Sequence, residues 1–354
     1  MRRPTLSRSA RPPAGLSARD RACARSRARQ SGVVDWFLLG MVAAVLVASL
    51  APDWGRSEGV LRLGLWTDVG VFALFFLHGM GLSTDSLKTG ATKWKLHLLV
   101  QLCTYVVFPI WWALGAWLLG DWIARDLLLG FFYLAVLPST VSSSVAMTAM
   151  AKGDVAAAVL NATLSTLLGV FLTPLMVSAM MGSQGVAIEV ADTMLKVAQM
   201  LLLPFVLGHI LRRWLAAFFA RIKPWTSIFD RLVIVMLVWV AFSDSVADGL
   251  WRDHGYTLLA QAALGAVLFL YPMLWFTLRV SRALGFSKED EIVAVFCGSK
   301  KTLASGMPMA KLLFSGHPAM GVLVLPILMY HQIQLFACAA MARRYAARVQ
   351  HRVI

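Results

Sequence analysis

The sequence predicts an all-α integral membrane protein: ten transmembrane helices arranged as two inverted five-helix repeats. Three observations carry this. Hydrophobic residues make up 59% of the 354-residue chain and charged residues 14%, with a mean hydropathy of +0.70; a soluble domain is roughly a quarter charged. The apolar residues gather into ten continuous runs. One sequence offset relates the second half of the chain to the first.

The runs fall at about 33–50, 63–79, 96–119, 127–151, 155–181, 191–211, 228–246, 258–280, 292–314 and 319–341. Each is near the ~20 residues a helix needs to cross a ~30 Å hydrocarbon core. Runs this continuous do not fit the alternating ~10-residue strands of a membrane barrel. The links between them alternate in charge. Lys88, Lys93, Lys95, Lys152, the basic residues of 212–223 and 279–288, and Arg343, Arg344 and Arg348 fall on one side. Asp53, Glu58, Asp121, Asp126, Glu189, Asp248 and Asp253 fall on the other, and only Lys311 runs against the pattern. The positive-inside rule therefore places both termini in the cytoplasm of a multi-pass protein of the plasma (inner) membrane.

Residues 1–32 are rich in Arg, Ala, Ser and Pro, with Asp20 as their only acid. They read as a disordered basic cytoplasmic tail that can lie against anionic lipid; 346–354 form a second, short tail. A net charge of +15 would suggest nucleic acid in a soluble chain. Here much of that charge sits outside the apolar runs, which points to membrane lipid and excludes nucleic acid as partner. Cys23, Cys103, Cys297 and Cys338 form no CxxC pair, so neither disulfides nor zinc are indicated. No nucleophile–base pair or metal cluster stands at membrane depth, so an enzyme is not expected, nor a resident cofactor.

Pro109 in the third run and Pro272 in the eighth differ by 163 positions (272 − 109). The same offset takes Gly153, in the link after the fourth run, to Gly316 in the link after the ninth, and Pro138 to Lys301. With five runs in each half, 33–190 and 191–345, the repeats must be inverted in the membrane.

The offset pairs the two least regular runs. Residues 296–308 read Phe-Cys-Gly-Ser-Lys-Lys-Thr-Leu-Ala-Ser-Gly-Met-Pro. Gly298, Gly306 and Pro308 weaken the helix, freeing main-chain groups that only a protein-lined interior tolerates. A lysine at membrane depth costs at least ~2.5–3.5 kcal/mol on insertion scales, so Lys300 and Lys301 must face such an interior or snorkel from a helix end. The fourth run holds Leu137-Pro138-Ser139-Thr140-Val141-Ser142-Ser143-Ser144, a second proline-broken, hydroxyl-rich centre. Two interrupted helices at corresponding positions mark a transport site. The candidate binding residues are Thr140, Ser142, Ser143 and Ser144 in one break and Ser299, Lys300, Lys301 and Thr302 in the other. Gln101, Asn161 and Thr163 are weaker candidates, since polar residues within spans are more often interhelical glue; His331, Gln332 and Gln334 are read the same way. His78 and His209, near span ends, are read as interfacial. Asp244 is the one acid well inside a span.

Over about residues 33–345 the chain resembles the bile acid:sodium symporter family, in particular its SBF-like branch. The resemblance rests on Phe75-Phe-Leu-His-Gly-Met-Gly-Leu-Ser, Trp94-Lys-Leu-His-Leu, the 137–144 stretch, Ala151-Lys-Gly-Asp, Leu172-Thr-Pro-Leu and the 296–308 stretch. It implies a panel of the first, second, sixth and seventh spans facing a core in which the broken fourth and ninth spans cross. It also implies a sodium-coupled carrier of organic anions. The chain departs from that pattern where bile-acid-type members hold sodium with a glutamate and a glutamine: here stand Phe296 or Cys297, and Lys300 or Lys301. The expectation is therefore at most one sodium ion, at Ser143, Ser144 and Thr163. A lysine ammonium can itself stand in for sodium.

The function expected is secondary active transport of a small organic anion, coupled to sodium or protons by alternating access. Half-helix N-termini and the lysines would hold the anion. Two alternatives stand beside it: a non-transporting membrane regulator, for example of calcium handling, and a cation/proton antiporter. The latter normally wants an acidic residue at the crossover, and none stands near either break.

Overall fold

The computed structural model describes residues 36–82, 92–182, 190–247, 249–314, 317 and 319–350. The N-terminal tail 1–32 lies outside these, as do Lys88, Glu189 and Asp248 among the link charges and Gly316 of the repeat comparison. The regular structure among the described residues is all helical. The elements are α1 (Trp36–Leu50), α2 (Leu63–Gly81), α3 (Trp94–Trp122), α4 (Arg125–Val136), α5 (Ser142–Met150), α6 (Val155–Gly182), α7 (Ala191–Ala247), α8 (Leu250–Ala283), α9 (Lys288–Gly298), α10 (Leu303–Leu313) and α11 (Met320–Gln350). Six of them, α2, α3, α6, α7, α8 and α11, contain segments long and apolar enough to cross a membrane. The fourth and ninth apolar runs are each split in two, as α4/α5 and α9/α10.

The sixth and seventh runs are not separated by a loop. The intervening stretch, 212–227, is helical throughout. It holds three arginines and three alanines, which favour helix, and contains no glycine. The element is nevertheless bent. Phe205 and Asp230 line the same cavity of about 220 Å³, whereas a straight helix would hold them roughly 37 Å apart at 1.5 Å per residue. Pro224 lies in this stretch and removes the donor to the carbonyl of Ala220, the usual origin of a kink.

Helix α7 packs along α1 and α2. The closest approach is between α2 and α7, where a Cβ on Gly79 would lie 2.0 Å from the Phe205 carbonyl oxygen and one on Gly208 2.0 Å from that of Phe76. Only glycine lets these two backbones touch. The remaining helices wrap α4/α5 and α9/α10; α4, α9 and α10 are among the most buried elements, and α5 buries Ser144 and Thr148.

Ion pairs gather the charged links at one end of this second group. Lys93 Nζ, before α3, pairs with Asp154 at 2.7 Å and Asp290 at 2.6 Å. Glu291 accepts from Arg282 at 3.0 Å, Lys288 at 2.6 Å and the Tyr345 hydroxyl at 2.8 Å. The Asp244 carboxylate accepts from the Ser57 amide at 3.0 Å and so fastens the α1–α2 link.

Candidate functional site

Pro138 has no N–H, and the residue before a proline is held extended. Leu137 accordingly sits at φ −70°, ψ 150° and α4 stops. The carbonyls of 135–138 lack helical donors, and each finds another. Val136 O accepts from Thr173 Oγ1 at 2.7 Å, and Pro138 O from the Thr302 amide at 3.0 Å. Ala135 O and Leu137 O accept from Lys301 Nζ at 2.7 and 2.8 Å.

The second break is satisfied by the first in return. Ser139 Oγ donates to Cys297 O at 2.7 Å and Ser144 Oγ to Phe296 O at 3.1 Å. Ser299 turns its own hydroxyl back to Val295 O at 2.6 Å, and the Tyr330 hydroxyl covers Ser299 O. Gln334 holds the next residue by both main-chain groups: its Oε1 accepts from the Lys301 amide at 3.0 Å, and its Nε2 donates to Lys301 O at 2.8 Å. Thr302 caps α10, accepting from the Ser305 amide at 3.4 Å. The two interruptions thus complete each other's main-chain hydrogen bonding, which is what permits non-helical backbone in a buried position.

Both lysines are fully buried. The Lys301 ammonium donates to a third carbonyl, Thr104 O, at 2.8 Å. That carbonyl is free because α3 opens into a π-turn over Cys103–Val107: the Phe108 amide bonds to Cys103 O instead of Thr104 O, and Pro109 has no N–H to offer. The Phe108 ring covers the fourth side, its centroid 4.1 Å from Nζ, an attractive arrangement for a cation. Lys300 points elsewhere. Its ammonium donates to Ser143 O in the first turn of α5, at 2.9 Å, and lies 5.6 Å from the Phe296 centroid.

The hydroxyls of the first break form a small cluster, with Thr140 Oγ1 bonded to Ser143 Oγ at 2.7 Å and to Ser144 Oγ at 2.9 Å. Ser142 lies outside it and faces the 220 Å³ cavity between α2, α5, α6 and α7, where Thr163, Lys223 and Asp230 also lie. Gln101 and Asn161 make a separate pair between α3 and α6, with Gln101 Nε2 donating to Asn161 O at 3.2 Å. Their side-chain oxygens, Oε1 and Oδ1, are buried without a partner. The candidates therefore divide among the crossover (Thr140, Ser143, Ser144, Ser299, Lys300, Lys301 and Thr302), the cavity wall (Ser142 and Thr163) and this pair.

Two residues carry more than their sequence positions suggested. His78 is not at an interface with lipid: it lines the cavity, and its Nε2 lies 3.2 Å from Ser142 Oγ, linking α2 to α5. The adjacent Gly79, which lets α2 meet α7, is the sequence signal that places it there. Gln334 is glue in the literal sense, but of one residue, Lys301.

These features define a helical membrane protein built around two interrupted helices that share one hydrogen-bond network, with two buried lysines at their junction. Residues 35–347 match the SBF-like CPA transporter family, and the chain belongs to it. Over 321 residues it is 41% identical to the putative symporter YfeH of Escherichia coli, covering 90% of this chain and 95% of that one. An uncharacterized protein of Pseudomonas aeruginosa is 44% identical over 318 residues, 89% and 93% of the two chains. Sodium/bile acid cotransporter 7-B of Xenopus laevis is 30% identical over 305 residues, 85% and 88% of the two.

Proposed function

We propose that the protein is a secondary active transporter of a small organic anion, coupled to sodium or protons and working by alternating access. The observation that carries this is the mutual hydrogen bonding of the α4/α5 and α9/α10 breaks, beside a mainly apolar cavity of about 220 Å³ into which His78, Ser142, Thr163 and Lys223 bring polar groups. A bundle needing only stability has no use for two buried ammonium groups and two broken helices, because uninterrupted apolar helices pack at lower cost. The relatives with functional names are a putative symporter and sodium/bile acid cotransporters rather than enzymes, which favours a carrier of organic anions.

In this reading ten spans form two inverted repeats, 33–190 and 191–345, flanked by cytoplasmic tails at 1–32 and 346–354. Helices α1, α2 and α7 are the panel, and α3 to α6 with α8 to α11 are the core. The anion enters the cavity between them, near Ser142, Thr163 and the N-terminal turn of α5, whose main-chain amides present positive potential. His78, bonded to Ser142, joins panel and core in the conformation seen here. A sodium ion, where one is used, takes the neutral oxygens of Ser143, Ser144 and Thr163.

Uptake into proteoliposomes tests the proposal. Pooled organic anions are offered under a sodium gradient, a pH gradient or neither, and accumulation under at least one gradient is expected. Absence of uptake of any solute under all three, from protein shown to be folded, would leave the regulator reading in its place.

A further inference from the structure

We infer that Lys301 is a built-in cation: its ammonium takes the place at the crossover where a coupling ion would otherwise be held by main-chain carbonyls, so that no sodium binds there. The inference refines the transport reading by naming what fills this part of the site, and it does not need transport to be observed.

The geometry of the ammonium is that of an ion in a carbonyl cage. Three carbonyls, Thr104 O at 2.8 Å, Ala135 O at 2.7 Å and Leu137 O at 2.8 Å, converge on one atom. All three belong to helices broken or bulged by a proline, so each has lost the donor that a regular helix would supply. Three acceptors require three donors. An –NH₃⁺ group has three and a neutral amine has two, so the cage is matched to the charged form. No carboxylate pairs with Lys301 among the described residues; the positive charge faces carbonyl dipoles and the Phe108 ring instead, as a permeant alkali ion does in a carbonyl-lined filter. Two of the three carbonyls are the C-terminal end of α4, the negative end of its dipole.

The ammonium is also positioned from its own main chain. Gln334 fixes the amide and carbonyl of Lys301 by two hydrogen bonds, so the side chain starts from a set point. Lys300 does not share this environment, since it reaches α5 through Ser143 O. With all three N–H groups of Lys301 committed to carbonyls, it has none left for the transported anion. Anion contact then falls to Lys300, the α5 N-terminal turn and the cavity wall.

Thermal unfolding in detergent tests this without any transport assay. Wild type, Lys301→Ala, Lys301→Met and Lys300→Met are compared in choline chloride, sodium chloride and butylammonium chloride at equal ionic strength. Lys301→Ala empties the cage of both charge and stem. It is expected to unfold several degrees below wild type in choline chloride and to regain at least half of that loss with sodium or butylammonium, beyond any shift of the wild type, because a ligand that binds only the folded state raises its midpoint. Lys301→Met fills the stem's volume without charge and is expected to stay low in all three salts. Lys301→Ala or Lys301→Met matching wild type in choline chloride overturns the inference, and so does a Lys301→Ala midpoint that ignores both cations. If neither Lys301 variant can be purified, Lys300→Met decides: its recovery ties the loss to the cage, and its equal loss makes the effect one of burial in general and overturns the inference. A protein that fails every uptake assay can still pass this test, and a sodium-driven carrier can fail it.

Discussion

The amide of Thr302 donates to the carbonyl of Pro138 at 3.0 Å, joining the two broken helices through main-chain atoms alone. Neither side chain is needed for that bond, but the backbone of residues 299–302 must hold its shape for it to form. The residue that holds this shape is Gln334, through Lys301. Replacing Gln334 by Leu leaves an amide and a carbonyl buried without partners, each costing about 1–3 kcal/mol. Chemical denaturation is expected to show a loss of that order, with Gln334→Glu intermediate because it keeps only the acceptor. A Gln334→Leu protein as stable as wild type would show that the clamp is incidental.

The α2–α7 contact predicts a second loss. Alanine at Gly79 or Gly208 would place Cβ 2.0 Å from a carbonyl oxygen of the facing helix, a rigid main-chain atom. The helices must separate, at an overpacking cost of about 1–3 kcal/mol. His78 neighbours Gly79, so the cavity should open as well. Labelling of a cysteine introduced at Ser142 by a polar maleimide reports this, and faster labelling in Gly79→Ala than in the parent is expected. Equal rates and equal stability together would rule it out.

Much of this was legible in the sequence, and for particular reasons. The breaks at Pro138 and at 298–302 were visible because proline, glycine and paired lysines are conspicuous in apolar runs. The cost of a lysine in lipid left Lys301 either buried or snorkelling from a helix end, and the structure shows it buried. Its partners were not legible: Ala135, Leu137 and Thr104 contribute carbonyls, which every residue has, and only a fold brings three together. The π-turn at Cys103–Val107 likewise has no side-chain signature beyond the proline that follows it. That the link 212–227 would be helical was not legible, because its arginines and lysine signal a membrane boundary. They do so without breaking a helix. His78 was misplaced for a related reason, since nearness to a span's end says nothing about which face a side chain occupies.

The Lys93 clasp gives a pH dependence whose sign can be worked out. Burial pushes the Lys93 ammonium down, but hydrogen bonds to Asp154 and Asp290 outweigh it, and the group ends above its ordinary 10.5. Burial pushes Asp154 up, but the Lys93 ammonium and the Ala157 amide outweigh it, and the carboxyl ends below its ordinary 3.8. A depressed acid contributes stability above its unfolded value, lost as pH falls through the folded one. A raised base contributes stability below its unfolded value, lost as pH rises through the folded one. The clasp should therefore act fully between these two ordinary values and fade on either side. Lys93→Met is expected to flatten the acid limb of a plot of unfolding midpoint against pH. An unchanged acid limb would mean that other carboxylates set it.

The last prediction concerns Pro109, where the ordinary expectation is reversed. Proline inside a helix costs about 3 kcal/mol relative to alanine, so removing one normally stabilises. At Pro109 the missing N–H is what leaves Thr104 O available to Lys301. An alanine there supplies an amide that continues the i→i−5 pattern of the π-turn and takes Thr104 O, removing one of three acceptors from a buried ammonium. Pro272 in α8 is the matching control: it lies at the corresponding position 163 residues on, and its helix is regular. Pro272→Ala should raise the unfolding midpoint or leave it unchanged, whereas Pro109→Ala should lower it. Combined with Lys301→Met, Pro109→Ala should cease to be harmful, because the carbonyl it reclaims no longer serves a charge. Should Pro109→Ala instead stabilise the protein as much as Pro272→Ala, and by the same amount with and without Lys301, then Thr104 O is not a partner the ammonium depends on.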